Sequence, residues 1–331
     1  MSRWSSAVIG IVLGLVFLGA AALLLDWHEV WKVLSDARWT WVLTALAVVP
    51  AYIYVKALRW RVLMTPVAAT TSRRLLPAVW AGNAGNYLAP HFGELVRVMV
   101  AGEQIGANRS ALLATIGVER FFDFTALGIL AAVILLPGGD ALSPALAAAM
   151  GAMAVLAVVL LAVVMAFLAW PEPLLGLATR VTQWLSPRVH KFLMRALRNG
   201  MAGLSTMRKP ALVMSAGMLS LAQWVLIGVC VAASMKAVAL PVWIAPVAAV
   251  VLLNVAGLVL PAAPGHVGTI QLAFILGLQG FEIGREPSFA ASLVFNAAMV
   301  VPVMLIGFPI LSRAGVQLGA YLAGRLRIDV T

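Results

Sequence analysis

The chain has little charge and almost no cysteine. Asp, Glu, Lys and Arg make up 11% of it, against about 25% in soluble domains. An ordinary water-soluble globule is thereby excluded. The single cysteine, Cys230, sits in an apolar run, so an intrachain disulfide is impossible and a thiolate metal site has no ligand set. HExxH, GxSxG, Walker and GxGxxG motifs are all missing, and no metal or other cofactor is expected. Strand-like alternation of apolar and polar residues is also missing, which argues against an outer-membrane barrel.

Apolar sequence is what the chain has in abundance. It is 63% hydrophobic over 331 residues, with a mean hydropathy of +1.01. Runs of about 20 apolar residues are long enough to cross a bilayer core as helices. The expected fold is therefore an all-α polytopic integral membrane protein. Six spans are expected, near 6–25, 39–58, 111–136, 145–169, 211–233 and 287–311. The first follows Arg3 and reads as an uncleaved helix, because it is full-length and more spans follow.

The net charge of +11 would suit nucleic acid, but its distribution favours a membrane. Lys56, Arg59, Arg61, Arg73 and Arg74 follow the second expected span. Arg180, Arg188, Lys191, Arg195, Arg198, Arg208 and Lys209 follow the fourth, and Arg313, Arg325 and Arg327 the last. The other face carries only Lys32, Arg38, Lys236 and Arg285. By the positive-inside rule both termini are cytoplasmic in a cell (inner) membrane, and no nucleic-acid partner is expected.

Two segments do not read as ordinary spans. Residues 75–109 include GNYLAPHFGELVR, where Pro90 and Gly93 interrupt an apolar arm and a charged arm returns. This reads as a re-entrant hairpin. Residues 241–283 are broken by Pro261, Pro264, Gly265 and Gly268, and read either as a second hairpin or as two short spans. Asn83 and Pro90 are seven apart, as are Asn254 and Pro261, and Pro, His and Gly recur after each pair. One span precedes and one follows each segment, which suggests an inverted-topology repeat of 39–136 and 211–311. The intervening 172–209 is basic, with apolar residues at helical spacing and a break at Pro187, and reads as an amphipathic linker on the anionic leaflet or as a partner-protein site.

The polar residues in these apolar runs are the candidate site. Glu94 and Arg97 open the return arm three residues apart, which suits a local ion pair, Glu94 orienting Arg97 toward a lipid phosphate, or both at once. Glu119 and Asp123 are four apart and share a helical face, with Arg120 turned away. They line a cavity or sit at the membrane interface. Asn83, Asn86, His91, Asn254, His266 and Gln271 complete the set expected to line a polar cavity between the two hairpins. Asn254, Gln271 and Asn296 read equally as bonds between helices.

The elements NYLAPHFGELVR, ERxxD (Glu119, Arg120, Asp123) and LPAAPGHVGTIQ resemble the transmembrane flippase-like family related to the membrane half of lysylphosphatidylglycerol synthase. The resemblance covers roughly 39–311. It implies that Glu94, Arg97, Glu119, Arg120 and Asp123 match the family's polar positions, and Pro264, Gly265 and Gly268 its second hairpin. His91, Gln271 and Asn296 depart from residues common in the family, which implies a different head-group preference. The synthase's aminoacyltransferase domain has no counterpart in the sequence, so lysylphosphatidylglycerol synthesis is not expected. The implied function is movement of a phospholipid or a polyprenyl- or hopanoid-type lipid between leaflets. A membrane-embedded transferase using His91 with Glu94, and a non-catalytic subunit of an envelope-lipid pathway, are the alternatives. Expected partners are lipids with an anionic or phosphate-bearing head group, and either a second copy of the chain or an enzyme of lipid synthesis.

Overall fold

The computed structural model describes residues 23–89, 92–138, 144–184, 209–257 and 264–322, with 19, 186, 190 and 194 besides. Every regular element among them is helical. In chain order they are α1 (Trp27–Ser35), α2 (Trp39–Met64), α3 (Ser72–Leu88), α4 (Phe92–Ile105), α5 (Arg109–Gly138), α6 (Pro144–Ala169), α7 (Pro171–Thr182), α8 (Pro210–Ala237), α9 (Ile244–Gly257), a 3-10 turn (Pro264–His266), α10 (Thr269–Gln279) and α11 (Arg285–Leu322). Among the described residues three helices are long and apolar enough to cross a membrane: Trp39–Met64, Pro210–Ala237 and Arg285–Gly315. Met150–Val163, Ile244–Ala256 and Thr269–Gln279 are shorter apolar helices. The molecule is a multi-pass helical membrane protein. Most of the first expected span, 6–25, lies outside the described residues, as does most of the linker 172–209. Within that linker α7 exposes Leu177, Val181 is exposed at its end, and Trp184 is exposed just beyond it.

Local chemistry sets several helix starts. Asp26 Oδ1 accepts from His28 N and Glu29 N, opening α1. Asn108 Oδ1 accepts from Ser110 N and Ala111 N, opening α5. These side chains satisfy amide groups that the first helical turn leaves without partners.

Helices in lipid gain little from apolar burial against one another, so close packing must hold them together. Glycine permits it here. Gly93 of α4 lies so near α3 that a Cβ there would overlap the Gly82 carbonyl oxygen. Asn86 Oδ1 accepts from Gly93 N at 2.8 Å, tying the two arms together across residues 89–91. The expected break at 75–109 is therefore a tight helical hairpin, although Pro90 and His91 themselves lie outside the described residues. Residues 241–283 also form a pair of short helices, α9 and α10. Pro261 lies outside the described residues. The turn that follows has positive φ at Gly265 (74°), His266 (55°) and Gly268 (93°), a region that glycine enters freely and other residues rarely.

Two buried clusters form around these hairpins. One joins α8 to α9, α10 and α11 through Val231, Met235, Val250, Phe274 and Phe295. The other joins α2 to α3 and α4 through Ile53, Trp60, Leu75, Val79 and Val96. Helix α2 contributes to both and packs most extensively against α8.

Candidate functional site

Three helices deliver charge, and a fourth a hydroxyl, to one buried point. On α2, Lys56, Arg59 and Trp60 are three and four residues apart and share a face. On α5, Thr115, Glu119 and Asp123 follow the same spacing. Helix α4 supplies Glu94 and Arg97, and α8 supplies Ser220.

Arg59 is the centre. Its side chain is wholly buried. It donates to Glu119 Oε1 at 2.6 Å, to Asp123 Oδ1, and to Ser220 Oγ at 3.0 Å. Glu119 is shared. Arg97 donates to it with both terminal nitrogens, Nη1 to Oε1 at 3.2 Å and Nη2 to Oε2 at 2.6 Å. The Arg97 guanidinium also lies over the Trp60 ring, 4.0 Å from its centroid, an added attraction for a desolvated cation. Trp60 is oriented by its Nε1–H donating to Thr115 Oγ1 at 2.9 Å. Arg120 turns outward, half-exposed, where it donates to Glu94 and lies 3.7 Å from Asp123. Three arginines thus meet three carboxylates across α2, α4 and α5. Pairing of this kind is what makes ionised groups tolerable away from water.

Two sequence expectations need correction. Glu94 and Arg97 do not pair with each other. Each reaches across to α5, Glu94 to Arg120 and Arg97 to Glu119, because α4 and α5 pack side by side and offer opposite charges at matching heights. Lys56 and Arg59 are not loop cations after the second span. Helix α2 continues to Met64, and both residues are buried within it, whereas Arg61 is exposed. Sequence reasoning therefore missed Arg59, the hub. The signal was present: Lys56 and Arg59 share a helical face from which Arg61 is turned away. Gln223 was missed too. It is buried one turn from Ser220, and its Oε1 has no hydrogen-bond donor among the described residues.

The remaining candidates are dispersed. Asn83 accepts from Lys56 Nζ at 3.2 Å and donates to Val79 O at 2.7 Å. Asn86 closes the first hairpin. Asn254 donates to Val250 O at 3.0 Å within its own helix. Gln271 accepts from Gly268 N at 2.7 Å and caps the start of α10. Asn296 donates to Gly265 O at 3.2 Å, fixing the second hairpin's turn to α11. The hairpins touch where the Tyr87 ring meets the His266 ring edge-on, 5.7 Å between centroids. His91 lies outside the described residues.

Neither of two cavities among the described residues is lined by a member of the ion cluster. One, of about 510 Å³, is an apolar groove among α5, α8 and α9, lined by Leu127, Trp224, Gly228, Trp243, Val247 and Val251 among others. The other, of about 300 Å³, lies between α10 and α11 and includes Gln271 and Asn296. No group of three or more His, Cys, Asp or Glu side chains positioned to hold a metal occurs among the described residues.

A search of curated proteins found no match. A family model described as the lysylphosphatidylglycerol synthase TM region matches residues 7–307. That match takes in both hairpins and every member of the ion cluster, and the chain belongs to the lysylphosphatidylglycerol synthase transmembrane-region family.

Proposed function

We propose that the protein moves a phospholipid or a polyprenyl- or hopanoid-type lipid between membrane leaflets, a specific form of the membrane-lipid role that its family implies. The observation that carries this reading is the edge-on meeting of Tyr87 and His266 at the tips of two helical pairs. The arms α3, α4, α9 and α10 have 17, 14, 14 and 11 residues. At 1.5 Å per residue each is about 17–26 Å long, short of the ~30 Å hydrocarbon core. Two re-entrant hairpins entering from opposite faces would meet at their tips in this way. A polar head group crossing the core needs hydrogen-bond partners along its route, and broken helices at the midplane offer them.

An inverted repeat of 39–136 and 211–311 fits the packing. The helix after each hairpin packs on the first helix of the other half, α5 on α8 and α11 on α2. Asn83 and Asn254, at matching places in the two halves, bond the carbonyl oxygen four residues back in the same manner. The apolar groove beside α8 suits an acyl or prenyl chain left in the hydrocarbon while the head group travels. In the proposed topology both termini face the cytoplasm, and α5 and α6 complete the set of spans.

Leaflet exchange of labelled anionic, zwitterionic and polyprenyl-phosphate lipids in proteoliposomes tests the proposal. Exchange of one class well above protein-free vesicles supports it. Equal rates with and without correctly inserted protein, for all three labels, would sink it.

A further inference from the structure

Among the described residues the arginines of the ion cluster are paired, whereas the neighbouring buried Lys56 is not. Arg59, Arg97 and Arg120 are matched by Glu94, Glu119 and Asp123. Lys56, one turn from Arg59 on the same face of α2, is 9% exposed and forms no ion pair among the described residues. Its direct contacts are neutral, Asn83 Oδ1 at 3.2 Å and the Tyr52 ring with its centroid 5.8 Å away, and the carboxylate whose charge it feels, Glu119, lies beyond ion-pair distance and is already held by Arg59 and Arg97. An ammonium held out of water without a carboxylate in direct contact is destabilising. In a membrane protein such a residue points to function.

Its surroundings are those of an anion site. Asn83 and Tyr87 are four residues apart on α3 and share a face, so the amine lies about one turn from the Tyr87–His266 contact. Tyr52 and Tyr87 are half-buried, and neither hydroxyl makes a hydrogen bond among the described residues. One cation and two uncommitted hydroxyl donors therefore line the strip between the ion cluster and the hairpin tips. Arg97, the residue expected to meet a phosphate, is instead occupied by Glu119 and Trp60.

We infer that Lys56 is the binding point for an anionic phosphate group, with Tyr52 and Tyr87 as additional donors and the paired arginines as a rigid wall. The inference rests on the lipid-transport reading and names the group that the pathway recognises. A lipid head group and free phosphate share this chemistry.

Native mass spectrometry of the full chain in detergent tests it, with short-chain phosphatidylglycerol, short-chain phosphatidylcholine and inorganic phosphate as probes. Wild type should prefer phosphatidylglycerol. Lys56→Gln should weaken that binding about tenfold or more, the scale of one charge-assisted hydrogen bond, while Lys56→Arg keeps most of it. Asn83→Asp is the second variant. It supplies an internal counter-charge and should abolish the preference while raising the Tm. Inorganic phosphate binding that also depends on Lys56 would show that phosphate alone suffices; its failure beside Lys56-dependent lipid binding would assign the site to head groups. A monodisperse Lys56→Gln protein with the wild-type preference would overturn the inference. Lys56-dependent binding without leaflet exchange would retire transport and keep the site. Exchange indifferent to Lys56→Gln would do the reverse.

Discussion

Glu119→Gln is the most informative single change in the ion cluster. Glu119 is 2% exposed and holds two arginines at once, Arg59 through Oε1 and Arg97 through both oxygens. Gln keeps the shape and one acceptor, but it turns an N–H toward a guanidinium and removes the negative charge. Arg59 retains Asp123 and Ser220. Arg97 retains its stacking on Trp60 and at most one amide oxygen, and becomes a buried cation with no carboxylate. Breaking a buried pair from one side costs about 3–5 kcal/mol, a large share of the roughly 5–15 kcal/mol that keeps a domain folded. In thermal unfolding the Tm should fall by on the order of 5–15 °C. The double variant Arg97→Met/Glu119→Gln restores charge balance and should be more stable than Glu119→Gln alone, a coupling that a double-mutant cycle reads directly. A Glu119→Gln protein within about 0.5 kcal/mol of wild type, the range of an ordinary surface change, would refute the clamp. So would simple additivity of the two substitutions.

The same reasoning gives narrower predictions. Ser220→Ala removes the neutral acceptor from Arg59 and should cost about 1–3 kcal/mol in unfolding, as for a hydrogen bond to a charged group. Gly93→Ala must push α4 away from the Gly82 carbonyl and should destabilise by about 1–3 kcal/mol, with faster amide exchange across α3 and α4 than elsewhere. Gly265→Ala places a side chain at a φ of 74° and should cost about 1–2 kcal/mol. Unchanged unfolding of that variant would mean that the turn adopts a different backbone.

Different parts of this molecule were legible from sequence to different degrees, for physical reasons. Membrane class and helical content follow from apolar runs, because a bilayer demands long helices with internally satisfied backbones. The break after Leu88 was legible because proline and glycine are local signals. The partners of Glu94 and Arg97 were not. Their three-residue spacing permits a local pair, and only the neighbouring α5 decides that each reaches outward. In hindsight the pairing had a trace: ExxR on α4 and ERxxD on α5 carry opposite charges in complementary order. Arg59 and Lys56 were hidden by the rule that orients the protein. Cations after an apolar run are counted as loop charges, and nothing local says that the helix continues for another turn and a half. The polar asparagines and Gln271 show the converse. Their residue types suggested a shared cavity, yet Asn86 and Gln271 are bonded within their own hairpins, and Asn254 within its own helix.

The two hairpin tips are proposed as a route for lipid. The most direct test is leaflet exchange with the tips restrained. In a Cys230→Ala background, Leu88→Cys and Val267→Cys place one thiol beside each tip for a short, cleavable thiol cross-linker. Exchange should proceed before linking, stop on linking and recover when the linker is cleaved. Exchange that continues unchanged with the two tips covalently joined would contradict the proposed route.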